Sequence, residues 1–345
     1  MVTKTAVGVG VSVGVSVGVG AVAVWWVWRQ RSAQHLQFMW EEVGEVSELT
    51  IYPLKSGRGV SVNSAQATSY GLAHGKLEDR SFLVMTEDDN RAVSGRQMGR
   101  LTMVSLTLED DLVTIGAQGV QSVKFRLKVV LKEHKVFHSK VWKQHVSGVD
   151  CGEEVASFLT QFVSEGRTRL RLLYRGDVVK DRPARRLDYY DFPKSLDSDK
   201  LYYAQNSAYV IASESSLAVL NSRLSEPVTM GQFRTNIVVR GAPPSDEDDW
   251  AYVKIGCVVF RTVKPCQRCL LTTVDPITGK RHPKQEPLNT LRSFRTISEP
   301  AKLAKAWATS PLFGINMAID VTGPLAVGDK VIVARTSSNP ELTVF

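Results

Sequence analysis

The chain of 345 residues carries 43 Lys and Arg against 35 Asp and Glu, a formal charge of +8 spread along its length. That dispersion excludes a nucleic-acid binder, which gathers basic residues with aromatic interleaving on one element. Four cysteines in so long a chain likewise exclude a disulfide framework, and at roughly 150 residues per domain the length predicts two domains or one large one.

Residues 6–28 hold no charged side chain, and as a helix they would rise roughly 34 Å, enough to cross a bilayer core. Trp25, Trp26 and Trp28 stand next to Arg29 and Arg31, an aromatic belt followed by positive-inside charge. This predicts an N-terminal transmembrane helix with the remaining chain facing the cytosol. The Val/Gly alternation there would suit a strand in water, but a lone strand in lipid leaves its backbone unpaired. Gly8-x-Gly10 follows no strand and is not a dinucleotide loop.

Beyond residue 46 the chain reads as short strands at 48–54, 81–85, 102–108, 123–131 and 135–142, the fourth with clear period-two alternation. Asp150 is placed to cap a helix bearing Glu153, Val155, Phe158, Leu159 and Phe162. Residues 175–200 are polar and basic, with Pro183 and Pro193, and read as a surface connection. A strand at 209–212 follows, then a helix capped by Ser213 and carrying Leu217, Leu220 and Leu224. Strands at 236–240, 257–263 and 330–334 and a short helix at 299–309 complete the pattern, and Asp246-Glu247-Asp248-Asp249 reads as a solvated loop. The predicted class is α+β and β-rich, a closed or nearly closed β-barrel decorated with helices. The predicted organisation is a membrane anchor and linker at 1–43, a β-rich domain at 44–180, a connection at 181–200 and a second domain at 201–345.

The chemistry concentrates in Lys264-Pro265-Cys266-Gln267-Arg268-Cys269-Leu270-Leu271-Thr272-Thr273-Val274-Asp275-Pro276. A C-x-x-C pair admits a structural zinc, a redox dithiol or two buried structural thiols. Zinc lacks a second ligand pair, since Cys151, Cys257 and the six histidines are scattered. A redox pair opens a helix, whereas residues 271–274 favour a strand and Pro276 with Gly279 a turn. Arg268 weighs against two inert core thiols, because a guanidinium there favours a thiolate and grips an anion.

Taken in order, Ile51-Tyr52-Pro53-Leu54-Lys55-Ser56, Leu77-Glu78-Asp79-Arg80, Phe233-Arg234-Thr235-Asn236-Ile237 and Cys266-Gln267-Arg268-Cys269 resemble the MOSC-domain family, and within it the membrane-tethered, amidoxime-reducing branch. The resemblance implies a MOSC β-barrel preceded by a MOSC-associated N-terminal β-rich domain. It implies a molybdenum cofactor, molybdenum on molybdopterin, with Cys269 as the one protein thiolate on the metal and as the catalytic residue. The cofactor's phosphate and ring would be held by Lys55, Ser56, Arg80, Asn206, Ser207, Arg234, Asn236, Gln267, Arg268 and Asn316. Asn316 stands where relatives carry a phenol, and Gln267 where some carry a small hydroxyl residue. The implied activity is reduction of N-hydroxylated compounds (amidoximes, hydroxylamines, N-oxides) to the parent nitrogen compound and water. Electrons would come from NADH through cytochrome b5 reductase and cytochrome b5, and no nicotinamide or flavin motif stands in the chain itself. The implied location is the mitochondrial outer membrane, although the anchor alone would equally suit the endoplasmic reticulum or peroxisome. Two rival readings keep the same residues: a module that holds or delivers molybdenum cofactor without turnover, and a tethered adaptor whose thiols are buried.

Overall fold

A computed structural model describes residues 39–141, 144–178, 182–183, 195–298, 304–305, 307 and 309–336. The expected membrane helix at 6–28, most of the connection at 181–200 and most of the helix expected at 299–309 lie outside the described residues. Among the described residues no helix is long and apolar enough to cross a membrane.

Seven strands close into a barrel. Around the circle they run Ile237–Arg240, Tyr209–Ser213, Leu312–Val321, Val258–Gln267, Trp250–Ile255, Lys330–Arg335 and Trp40–Ile51, and the last pairs back onto the first. The expectation of a closed β-barrel is met. The strand Trp40–Ile51 belongs to the first half of the chain, yet it forms a stave between Ile237–Arg240 and Lys330–Arg335. Inward-facing Leu49, Ile51, Tyr209, Ile211, Val253, Phe260, Met317 and Val333 fill the interior. Tyr209 and Phe260 meet edge to face at 4.9 Å, the arrangement that ring quadrupoles favour.

Six of the seven neighbouring pairs are antiparallel, and the exception is Tyr209–Ser213 beside Ile237–Arg240. A parallel pair needs a crossover. Here it comprises the helix Glu214–Asn221 and the 3-10 turn Met230–Phe233. Ser213 caps that helix as expected, its hydroxyl accepting from Ser216 N at 3.2 Å. Leu220 and the half-buried Leu217 and Leu224 pack with Phe233 and Phe313, although Leu224 lies beyond the helix.

Among the described residues four smaller sheets lie outside the barrel, one of them only the pairing of Arg182–Pro183 with Lys200–Leu201. One joins Ser64–Thr68, Gly71–His74 and Leu77–Glu78 to the late strand Gly323–Ala326. The second contains Phe82–Thr86, Leu170–Tyr174, Gln144–Asp150 and Val136–Val141, and the third Ser105–Glu109, Leu112–Gly116 and Val123–Arg126. The helix Glu153–Ser164 packs Val155, Leu159 and Phe162 into the main core.

Four local expectations are corrected. The strand expected at 123–131 stops at Arg126, and Leu127–Glu133 is a helix, with Leu127 and Val130 inward and Val129 47% exposed. Asp150 does not cap the following helix, whose N-cap is Gly152. It is buried at a strand end, with Arg171 Nη1 donating to it at 3.0 Å. Residues 270–273 form a 3-10 turn rather than a strand.

The acidic stretch Asp246–Asp249 is also a 3-10 turn, and Glu247 is fully buried. Its carboxylate accepts from the Ser213 hydroxyl at 3.0 Å and the Ser216 hydroxyl at 2.8 Å. Burial raises its pKa above the ordinary carboxylate value. A carboxyl with a raised folded-state pKa contributes stability that is complete below about pH 4 and is lost as pH climbs through the raised value. Glu247→Gln, which cannot ionise, should therefore gain stability over the parent near neutrality, and less at acid pH. Thermal unfolding of both proteins from about pH 4 to pH 8 checks this, and a pH-independent difference would contradict it.

A candidate cofactor site beside an exposed cysteine

Residues 52–56 leave the end of the first barrel strand and run beside residues 80–82. Arg80 N donates to Tyr52 O at 2.7 Å, Phe82 N to Pro53 O at 2.9 Å and Lys55 N to Phe82 O at 2.9 Å. Ser56 and Arg80 both take left-handed backbone conformations, at φ of 65° and 48°. The barrel's crossover delivers Arg234, Thr235 and Asn236 to the same place, with Arg234 left-handed at φ 54° as the C-cap of Met230–Phe233.

Asp79 is the hub of this group. Its fully buried carboxylate accepts from Tyr52 N at 2.8 Å and Asn236 Nδ2 at 3.0 Å, and it pairs with the Arg80 guanidinium. Burial pushes the carboxyl above its usual range, while Arg80 pulls it down. Asn236 Oδ1 accepts from Arg80 Nη1 at 3.1 Å, and Asn236 Nδ2 also donates to Thr50 O at 3.1 Å. Arg234 donates to the Gly57 and Leu54 carbonyls. The Arg80 and Arg234 guanidiniums lie 4.8 and 4.3 Å from the ring centroid of Tyr52. Burial, then repulsion from Arg80, lowers the Arg234 pKa to about 10. Lys55 Nζ donates to Tyr203 O at 2.8 Å, and Arg80 O accepts from Tyr203 N at 3.2 Å, so the loop bearing half-buried Asn206 and buried Ser207 adjoins both cations.

The second half of the site is the C-x-x-C segment. Cys266 is buried on the barrel strand, whereas Cys269 is exposed, and both thiols are free. Cys269 begins the 3-10 turn Leu270–Thr273, its carbonyl accepting from Thr272 N at 3.0 Å and Thr272 Oγ1 at 2.9 Å. Arg268 anchors the turn. Its Nε and Nη2 donate to Phe313 O at 2.8 and 2.6 Å and its Nη1 to Phe233 O at 2.7 Å, so this guanidinium is held by backbone carbonyls. Gln267 Oε1 accepts from Lys264 Nζ at 3.1 Å. Asn316 joins Ser207 Oγ, at 2.9 Å from its Oδ1, to Pro265 O, at 3.2 Å from its Nδ2.

The halves meet through Arg268, which reaches the carbonyl of the residue before Arg234. Gly95 provides a second junction: a Cβ there would stand 2.7 Å from Leu271 Cδ1 and 3.6 Å from Ser56 Cβ. Ser56, Arg234 and the Cys269 turn are therefore brought together. Tyr52 and Asp79 join the site beyond the residues that the resemblance implies. Both stand inside the motifs at 51–56 and 77–80, but neither motif distinguishes Asp79 from Glu78 as the residue that turns inward.

Among the described residues no cluster of three or more His, Cys, Asp or Glu could hold a bare metal ion. What this site offers is the accessible thiol of Cys269 and, close by, the cations of Lys55, Arg80 and Arg234 around the carboxylate of Asp79. That donor set suits an anionic cofactor bringing most of its metal's ligands with it, and the soft thiolate suits a sulfur-rich metal centre. The fold thus presents a closed barrel with an exposed thiol and a cluster of cations at one place.

The chain belongs to the MOSC-domain family: residues 43–166 match the MOSC N-terminal beta barrel domain and residues 198–332 the MOSC domain. Among its relatives is the mitochondrial amidoxime reducing component 2 of Bos taurus, 40% identical over 292 residues, covering 84% of this chain and 83% of that protein. Another is the mitochondrial amidoxime-reducing component 1 of Homo sapiens, 37% identical over 304 residues, covering 88% and 87%. A crystal structure of the YUAD protein of Bacillus subtilis covers 86% of this chain and 99% of its own, at 10% identity and a TM-score of 0.35.

Proposed function

We propose that this chain is a molybdenum-cofactor-dependent reductase of N-hydroxylated compounds. The observation that carries the reading is the exposed Cys269 thiol on a rigidly anchored turn beside cations in excess of carboxylates, in a chain whose relatives are named amidoxime-reducing components. When bound, the cofactor would supply the two-electron chemistry that reduces an N–O bond. For a hydroxylamine the balance is R–NHOH plus two electrons and two protons giving R–NH2 and water. The electrons come from NADH through cytochrome b5 reductase and cytochrome b5.

In this reading the Cys269 thiolate ligates the metal. Lys55, Ser56, Arg80 and Arg234, with Asn206 and Ser207, receive the anionic and polar parts of the pterin. Asn236 orients Arg80, and Arg268 fixes the turn that presents the thiol, because its donors already serve the Phe233 and Phe313 carbonyls. Gln267 and Asn316 brace the same segment from the barrel strand. The dispersed positive charge favours encounter with an acidic electron donor. Residues 6–28 tether the chain to the mitochondrial outer membrane with the reductase toward the cytosol.

The test is molybdenum and pterin content of the full chain produced with cofactor available, followed by reduction of a hydroxylamine with cytochrome b5, its reductase and NADH. Near-stoichiometric cofactor with turnover is expected. Cofactor without turnover would favour a carrier of the cofactor, and folded protein without cofactor would overturn the reading.

A further inference from the structure

The two turns that carry the opposite halves of the site are tied by more than Arg268. Gln232 is the third residue of the turn Met230–Phe233, which delivers Arg234, and its side-chain amide serves both turns. Its Oε1 accepts from Thr229 N at 3.4 Å, the return bond of a capping box. Its Nε2 donates to Thr272 O at 3.1 Å, inside the turn Leu270–Thr273 that begins at Cys269. Gln232 is half-buried and Thr272 only 4% exposed, so water competes poorly for this bond.

Arg268 Nη1 crosses in the other direction, from the residue before Cys269 to the Phe233 carbonyl at 2.7 Å. Among the described residues no other hydrogen bond joins 229–234 to 268–273. A single bond between two turns leaves a pivot, whereas two separated bonds fix their relative angle. These two bracket Cys269, at 268 and 272, and end on the two residues that precede Arg234.

We propose that Gln232 is a positioning residue, whose amide locks the Cys269 turn at a fixed angle to Arg234 so that the thiol and the cations serve one bound group. That one group uses both rests on the reductase reading, whereas the lock between the turns does not.

Two variants separate the lock from the cap. Gln232→Glu keeps an acceptor for the Thr229 amide, as glutamate does in capping boxes, but as a carboxylate has no hydrogen to give Thr272 O. Gln232→Met keeps the length and loses both bonds. Amide hydrogen exchange of cofactor-free, full-length protein reads the two turns separately. In Gln232→Glu exchange across 270–274 should quicken about two- to tenfold while the Thr229 amide stays as protected as in wild type, and in Gln232→Met both should quicken. Unchanged exchange across 270–274 in Gln232→Glu would overturn the proposal, because the side chain would then serve the cap alone. In loaded protein Gln232→Glu should release molybdenum about two- to tenfold faster on dialysis and show a lower kcat for hydroxylamine at an unchanged KM. Quickened exchange with normal molybdenum retention and kcat would also overturn it, since the bond would then be structural only. A wild type that takes up no molybdenum removes the reductase reading, and the exchange rates of the cofactor-free proteins still decide for or against the lock.

Discussion

Cys269→Ser is expected to abolish reduction of N-hydroxylated substrates while leaving the fold intact. The thiol is exposed, and the main structural contacts of the residue run through its carbonyl, which holds the Thr272 amide and hydroxyl. Serine changes neither, so stability should stay within about 0.5 kcal/mol. The loss of turnover should exceed the ~10–100-fold typical of disturbing a metal ligand's outer-shell partners, because in the proposed reading the metal-binding atom itself changes from soft sulfur to hard oxygen. Steady-state rates normalised to molybdenum content make the comparison. Undiminished turnover at full metal occupancy would sink the assignment of Cys269 as the ligand.

Asp79→Ala should be the most damaging single change to the frame of the site. Its removal strands three donors at once: the Tyr52 amide, one Asn236 amide proton and the Arg80 guanidinium, all facing a fully buried carboxylate. Removing one member of a buried, hydrogen-bonded ion pair costs about 3–5 kcal/mol. Urea denaturation of cofactor-free protein measures that loss, and the fraction that still folds should retain little cofactor because Arg80 is no longer oriented. Asp79→Asn, which keeps an acceptor for the Tyr52 amide, should be milder on both counts. A variant as stable as the parent would show that the hub carries no load.

The fold class was readable because the barrel strands are short and apolar with polar turns between them, and the barrel needs little more. What escaped were places where a local hydrogen bond overrides propensity. Residues 271–274 look like a strand by composition, yet Thr272 Oγ1 and Thr273 Oγ1 each donate to the carbonyl three residues back and fold residues 270–273 into a turn. Nine residues from Val123 satisfy an alternating pattern, but Leu127 and Val130 also satisfy a helical one, and packing against the Gln144–Asp150 strand and the main core decides between them. Buried Glu247 and Asp150 were unreadable for another reason: a carboxylate's burial is set by partners distant in sequence, here two serines and Arg171. The site residues were legible only as separated motifs that a known family shares. Residue types alone show neither that Arg268 is bound to carbonyls nor that Arg80 and Arg234 flank one tyrosine.

The stave formed by Trp40–Ile51 sets a timetable for biosynthesis. It pairs with Lys330–Arg335, so the barrel cannot close until those late residues have left the ribosome. At ordinary elongation rates the early strand therefore waits roughly 15–60 s with a hydrogen-bonding edge unpaired. Residues 52–56, which lead directly from that strand into the cation cluster, reach their final place only when it docks. Whatever binds at that cluster therefore does so only once the chain is nearly complete, and during the wait the open edge is free to pair with other strands.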